Sequence, residues 1–337
     1  MSSKLENQNQ IQPNHNGKPK ERTRVVFLLN SFGIGGIERQ LVAQLHHYNR
    51  GRYELHLITL YNYPDRQTLY DQLPEWVMVH QFHCTYGKAN VRELWRVVQR
   101  VKALHPDVVV SSMFGPNTFN RLVSLWLRYV PLPREHNTYT DRGFLQRIIE
   151  HLGAYVSPTT VAVSHEVAAF TAKQSWLSKD NYTVIQNGID LERIAAAREN
   201  NAAAVDALRS EFALPEAARV WLNVARLKPQ KNHDLLIDAF ATHLKEYPDD
   251  HLFILGSGHE EERLRKKITA LQCEHRIHLT GYRADVFTFY ELADYFILTS
   301  DIEGFPNVVL EAMAFGVPVL STSVAGIDEI ITEGQNG

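Results

Sequence analysis

Cysteine is nearly missing from these 337 residues. There are two, Cys84 and Cys273, far apart and without the paired spacing that a disulfide framework or a zinc site requires. No stretch approaches the ~20 consecutive apolar residues that cross a bilayer. The sixteen histidines never fall into H-E-x-x-H or a similar ligand spacing. No Asp-x-Asp triplet occurs, the acidic pair that often holds a divalent cation on a nucleotide. Neither a metal nor a cofactor is therefore expected. The first 22 residues also lack an apolar core; polar and rich in Asn and Gln, they read as a disordered tail and not as a secretory signal.

What is present is ordinary for a globular protein, with 44% hydrophobic and 22% charged residues, and the length suits two domains better than one core. Apolar strands alternate with amphipathic helices almost throughout, which predicts an α/β fold with parallel sheets covered by helices on both faces. In the first half strands fit 24–29, 54–60, 77–80, 107–111 and 160–163, and helices fit 36–48, 66–73, 89–104, 116–128, 143–153 and 164–173. Past a linker near 186–192, strands fit 219–224, 251–255, 276–280, 294–299 and 317–321. Helices there fit 231–246, 259–272, 284–291, 307–315 and 326–332. The domains expected are 23–188 and 189–337, after the tail at 1–22.

Charge is shared unevenly. Residues 1–190 hold 21 Lys+Arg against 15 Asp+Glu, and the remainder 14 against 23. A basic first half suits an anionic membrane surface or a lipid-diphosphate, and no nucleic-acid partner is expected. In Ala89–Leu104, Arg92, Arg96 and Arg100 recur every four residues beside Trp95. That stripe fits membrane contact or a solvated helix face.

The most informative segment is Glu303–Ala314, EGFPNVVLEAMA, with two carboxylates eight positions apart around Gly304, Pro306 and Asn307. Pro306 suits the first turn of a helix, where its missing N–H costs nothing. Glu303 then falls on the preceding loop and Glu311 one turn inside the helix. A helix start attracts a phosphate, while carboxylates beside it suit the hydroxyls of a ribose or hexose. Together they suggest a nucleotide-sugar, although a plain amphipathic core helix with two exposed acids has the same pattern. Upstream, Asn223–Phe240 reads as strand, loop and helix, with Arg226 and Lys231 in the loop. Two such cations could clamp a diphosphate, Arg as a fork and Lys as a point charge, or could merely be solvated. In Val25–Leu41 an apolar strand runs into Gly33, Gly35 and Gly36 ahead of a helix, so that backbone can approach a ligand closely. Glu38 occupies the last position of a would-be G-x-G-x-x-G, which argues against a dinucleotide enzyme. A turn of purely structural purpose is the alternative.

Glu303-x7-Glu311, set in GFPNVVLEAMAFGVPVLST, resembles the signature of the retaining glycosyltransferases of family 4. Gly35-Gly36-x-Glu38, Val184–Asp190, Arg226 with Lys231, Phe253–Gly258 and Ile277–Arg283 resemble further segments of that family in the same order, so the resemblance spans roughly residues 24–337. It implies the GT-B fold, two doubly wound Rossmann-like domains facing across a cleft. It implies transfer of a sugar, with retention, from a nucleoside-diphosphate sugar (a UDP-sugar by preference) to a glycan or lipid-linked acceptor. Arg226 and Lys231 would then stabilise the leaving diphosphate, helped by the backbone of Gly35 and Gly36. Glu311 would hold the ribose, and Glu303 the donor sugar with Gly304, Phe305, Pro306 and Asn307. Gly256, Tyr282 and Arg283 would line the nucleotide, His136 would lie near the sugar, and Glu38 would orient the acceptor. A cytoplasmic enzyme with peripheral contact to the inner face of a membrane is implied. A sugar-nucleotide epimerase, or a nucleotide-binding module without transfer activity, would share these features. The closing Glu333–Gly337 resembles a turn that in the family leads into a further strand and helices, which implies a chain that stops short of them.

Overall fold

The computed structural model describes residues 22–61, 67–84, 91–138, 142–199 and 201–337. Residues 1–21 of the polar tail, and the first residues of the helices expected at 66–73 and 89–104, lie outside these.

The first sheet is built from β1 (Thr23–Leu29), β2 (Tyr53–Thr59), β3 (Met78–Gln81), β4 (Val108–Ser112), β5 (Val130–Glu135), β6 (Thr160–Ala162) and β7 (Tyr182–Val184), in the order β3-β2-β1-β4-β5-β6-β7. Its helices are α1 (Gly36–His47), α2 (Val91–Leu104), α3 (Phe114–Leu127) and α4 (Phe144–Gly153), and α5 (His165–Gln174) follows β6 in the chain. β1 pairs in parallel with β2 and with β4. Because side chains alternate across a strand, β1 buries both faces. Phe27 and Leu29 meet Leu41 and Leu45 of α1, while Val26 and Leu28 share a second cluster with Val97 and Val101 of α2 and Val123 of α3.

The second sheet follows α6 (Leu191–Glu199) and α7 (Ala202–Glu211). Its strands are β8 (Val220–Val224), β9 (His251–Leu255), β10 (Ile277–Gly281), β11 (Tyr295–Leu298) and β12 (Val319–Ser321), ordered β10-β9-β8-β11-β12 with parallel pairing. Its helices are α8 (His233–His243), α9 (Glu261–Ala270), α10 (Val286–Leu292) and α11 (Asn307–Ala314). Ile254 packs with Leu236, Phe240 and Leu264 on one face, and Phe253 with Tyr290, Phe296 and Val309 on the other. By contacts, the described residues within Met1–Glu135, Arg142–Val161 and Gln174–Thr183 form one compact unit. Those within His136–Asp141, Ala162–Lys173 and Val184–Gly337 form a second.

The structure corrects several sequence expectations. Of the helix expected at 66–73, only a single 3₁₀ turn, Tyr70–Gln72, forms, because Thr68 bridges to Gly33 and Pro74 blocks continuation. The helix expected at 326–332 is a run of turns. Gly326 sits at φ +79°, a left-handed conformation that no α-helix accepts, although Ile327, Ile330 and Ile331 still enter the core. The Pro-rich stretch ahead of His136, outside every strand expected above, is the end of β5, an interior strand. The N–H of Val130 donates to Asp107 beside β4. Strand alternation therefore turns Pro131 and Pro133 the other way, so their missing donors fall on the side of the short β6. α6 and α7 were not legible as periodic segments, since each buries a single residue, Ile194 and Leu208 respectively.

Two buried ion pairs lie in the first unit. Arg121 Nη1 donates to Glu150 Oε2 at 2.7 Å, with Ser157 and Thr160 accepting from its other nitrogens, and Arg142 Nη2 donates to Glu135 Oε2 at 2.6 Å. Burial pushes the Glu135 carboxyl up to about 7 against the pull of Arg142.

Histidines form a second polar theme. His56 and His80 face each other across β2 and β3 at 3.1 Å, and His251 and His278 across β9 and β10 at 2.9 Å. Burial pushes His80, His233, His251 and His278 down to about 4. These side chains are neutral in the folded protein and take up protons near pH 6.5 once unfolded. Their contribution is therefore complete above about pH 6.5 and is lost as pH falls toward 4. The melting temperature is expected to hold near pH 7 and decline steadily through that window. A melting temperature flat between pH 7 and 5 would contradict the neutral pairs.

Candidate active site

In an open α/β sheet, ligands bind beyond the carboxyl ends of the strands where the strand order reverses. In the second sheet that point lies between the neighbours β8 and β11, whose following helices lead to β9 and β12 in opposite directions. The loop after β8, residues 225–232, carries Arg226 and Lys231; the loop after β11, residues 299–306, carries Glu303. Backbone and side-chain bonds zip the two together. Asp301 N donates to the Gln230 carbonyl (2.9 Å), Asn232 Nδ2 donates to Asp301 Oδ1 (2.9 Å), and Thr299 Oγ1 lies against the carbonyls of Lys231 and Asn232.

At the centre, Lys231 Nζ donates to Glu303 Oε1 at 2.5 Å, and Ser300 Oγ donates to the same oxygen at 2.6 Å. Glu303 is 8% exposed. A carboxylate this deep needs such partners to offset its lost hydration. The lysine keeps two further N–H donors for other acceptors. Expected to have separate tasks, these two residues are joined in the structure.

Glu303 opens the segment that enters α11. Gly304 lies against the backbone of His136 and Asn137, where a Cβ would come within 1.9 Å of the His136 carbonyl oxygen. Only glycine fits, and the contact brings the half-buried His136 to the same loop. Asn187 Nδ2 donates to the Phe305 carbonyl (3.2 Å) and to Asn307 Oδ1 (2.9 Å). Asn187, which the sequence reading placed only in a linker, thus fixes the loop after Glu303. Pro306 caps α11, one position ahead of the first helical residue. Within α11, Glu311 Oε2 stands 2.9 Å from the Tyr290 hydroxyl. Tyr290 is fully buried, and no sequence pattern separates it from the other core aromatics. Gly304→Ala is expected to displace the loop and lower turnover by roughly 10²-fold, the scale of an ångström of misplacement. Steady-state kinetics on a variant with an unchanged circular dichroism spectrum would check it.

Arg226 is exposed, and among the described residues no side chain pairs with it. Its loop is held by Ala225 N donating to the Leu255 carbonyl and Leu227 N to that of Ser257. Gly256, at φ +142°, allows this approach, since a Cβ there would stand 2.0 Å from the Ala225 oxygen. Gly256 therefore seats the arginine loop, and its N–H donates to Gly281, next to the half-buried Tyr282. Arg283 is committed elsewhere: its guanidinium bonds Glu211 and Asp285 at 2.8–3.2 Å and covers the Phe289 ring.

In the first unit, the glycine loop also follows the strand at a reversal of order, that between β1 and β4. Gly35 is the N-cap of α1, Gly36 its first residue, and the half-buried Glu38 lies in its first turn. Across from it Met113, which begins α3, holds φ +79° and ψ 156°, a strained conformation for a non-glycine residue. The Asn30 amide nitrogen lies 3.6 Å from its sulfur.

Two Rossmann-like units, each with chemistry-bearing loops at the reversal of its sheet, define an α/β enzyme of the GT-B fold. The profile of the glycosyl transferases group 1 matches residues 205–337, and that of glycosyltransferase family 4 matches residues 34–193. The chain belongs to the group 1 glycosyltransferases of family 4. It is 26% identical over 320 residues to an uncharacterised glycosyltransferase of Haemophilus influenzae, covering 92% of this chain and 84% of that one. It is 28% identical to the Escherichia coli UDP-Gal:α-D-GlcNAc-diphosphoundecaprenol α-1,3-galactosyltransferase over 182 residues, 53% of this chain and 46% of that protein. Among solved structures, Anabaena HepE in complex with UDP-glucose superimposes with a TM-score of 0.78 at 21% identity, over 94% of this chain and 85% of that one.

Proposed function

We propose that the protein transfers a sugar, with retention of anomeric configuration, from a UDP-sugar to a hydroxyl of a lipid-linked glycan at the inner face of a membrane. The observation that carries this reading is the meeting of Lys231 and Glu303 at the strand-order reversal of the second sheet. Charge grows on the leaving diphosphate as the glycosidic bond breaks. Lys231 and Arg226 stabilise it there, more in the transition state than in the ground state. Glu303, held by Lys231 and Ser300, takes the donor sugar with the backbone of Gly304 and Phe305. Glu311, oriented by Tyr290, takes the ribose hydroxyls. Tyr282 and the backbone of Gly281 line the nucleobase, Gly35 and Gly36 approach the phosphates, His136 faces the sugar and Glu38 orients the acceptor. The proton of the attacking hydroxyl passes to the departing phosphate oxygen on the same face. The HepE complex with UDP-glucose and the galactosyltransferase that uses a diphosphoundecaprenol acceptor support the donor and acceptor classes.

Thermal shift against UDP, GDP and ADP is the first test, since a ligand of the folded state raises the melting temperature by mass action. UDP is expected to stabilise the wild type and to lose most of that effect in Arg226→Ala. Nuclear magnetic resonance of the first product formed from a UDP-sugar should show the donor's own anomeric configuration. An inverted product, or a shift with none of the three nucleotides, would overturn the proposal.

A further inference from the structure

Helix α4 is folded inside out. Its one buried side chain is the carboxylate Glu150, paired to Arg121, while Phe144 and Leu145 stand about 70% exposed and Leu152 is 60% exposed. Phe144, Leu145, Ile148 and Leu152 lie on one face by helical spacing, and Tyr155 continues that face past the helix end at 79% exposed. Trp176 joins it, its ring 5.9 Å from that of Phe144. An amphipathic helix normally buries its apolar stripe, so the orientation asks for a partner.

The patch does not stop at α4. The connections β3–α2–β4, β4–α3–β5 and β5–α4–β6 all step the same way along the sheet, and right-handed crossovers place the three helices on one face. α3 adjoins α4 through the Arg121–Glu150 pair and presents Leu122, Leu125 and Trp126 outward, the last 75% exposed. α2 presents Val91 and Trp95. Three of the chain's five tryptophans, Trp95, Trp126 and Trp176, are thus exposed on one side of one unit.

The charge left unmatched on these three helices has one sign. α2, α3 and α4 hold only two carboxylates, Glu93 and Glu150, and each is paired to an arginine of the same layer, Arg96 and Arg121. The exposed Arg92, Arg100, Lys102 and Arg128 have no such match on these helices. Among the described residues no helix is long and apolar enough to cross a membrane. Tryptophan with aliphatic residues and unmatched arginine is the chemistry of a surface that rests in the headgroup region.

We infer that the outer layer formed by α2, α3, α4 and the Trp176 turn docks on an anionic lipid bilayer. The aromatic and leucine side chains enter the interface, and the arginines meet lipid phosphates. This deepens the lipid-linked acceptor reading, yet its test needs no sugar transfer.

The full chain is sedimented with phosphatidylcholine vesicles, with and without phosphatidylglycerol, at low and high salt. Binding to the anionic vesicles, weakened by salt and accompanied by a blue shift of tryptophan emission, is expected. Trp126→Ser with Phe144→Ser should lower partitioning by roughly 10²-fold, about tenfold for each apolar side chain. Arg92→Gln and Arg100→Gln should each cost about fivefold on anionic vesicles only. All these positions are exposed, so melting temperature and UDP stabilisation should stay as in the wild type, which separates this test from that of the donor site. No binding to either vesicle, or equal binding by the apolar double variant, would overturn the inference. A wild-type dimer that the same variant splits, without vesicle binding, would assign the face to a second copy of the chain instead.

Discussion

Lys231→Ala is expected to lower kcat by on the order of 10²–10³-fold, the loss seen when one preorganised donor to a developing oxyanion is removed. The argument is local. Lys231 ends a 3₁₀ turn, Pro229–Lys231, and the next residue, Asn232, holds φ 47° and caps α8 by accepting from Leu235 N. The ammonium group is thereby delivered to one point by backbone that cannot readily swing. Removing it has a second effect, because Glu303 would keep its burial and the Ser300 bond but lose its countercharge. Lower turnover should therefore come with a lower melting temperature. Lys231→Ala/Glu303→Gln separates the two effects: the neutral amide should recover stability and leave turnover low. Recovery of turnover in that double variant would mean that Lys231 serves only to neutralise Glu303. Undiminished turnover in Lys231→Ala would dismiss the assignment altogether.

Glu150→Ala should be the most damaging substitution for folding, at about 3–5 kcal/mol, because it strands the Arg121 guanidinium in the interior. Arg121 is 3% exposed and bonds Glu150, Ser157 and Thr160 together. Its stem passes so close to Gly153 that a Cβ there would sit 2.8 Å from Cδ, so it has no route to solvent without moving α4. A fall in melting temperature on the order of 10 °C is expected for a unit of this size. Arg121→Met combined with Glu150→Leu should recover most of the loss, since buried ion pairs are often replaceable by apolar groups of similar volume. If the double replacement is as unstable as Glu150→Ala, the desolvated charge is not the cause. Chemical denaturation of the wild type and the two variants decides between these.

The strands and helices that bury a full apolar stripe were legible in the sequence, because periodicity reports burial. β9 was read at its observed bounds, His251–Leu255, and its five residues are all buried. α6 and α7 were not legible, since one buried residue each leaves no period to detect even in helix-forming composition. β5 hid behind Pro131 and Pro133, which argue against an interior strand unless the direction of each missing donor is known. α4 was found as an element, but its amphipathic pattern gave no hint that the polar side faces inward; that depends on Arg121, 29 residues away.

The candidate site divides in the same way. Glu303, Lys231 and Gly304 were legible because carboxylate, cation and glycine fall at loop positions where structure alone seldom demands them. That Lys231 and Glu303 touch was not legible, since it follows from the adjacency of β8 and β11, 72 residues apart in the chain at this pair. Asn187 and Tyr290 were missed for a related reason: each acts on the site through another residue, and such support has no local pattern. Arg283 shows the converse, a cation beside a motif whose donors are already engaged by Glu211 and Asp285.

The two prolines of β5 act as a stop against sliding. A shift of the strand by one residue would turn their missing donors toward β4 and forfeit two bonds of that ladder, whereas the native alignment confines the gap to the three-residue neighbour β6. Such a slip would also invert every side chain of a mostly buried strand, and is thereby penalised twice. The strand ends at Glu135, with its carboxylate on Arg142, so that His136 is the first residue released from the sheet. The imino acids thus set the phase of the chain at the point where structure gives way to chemistry.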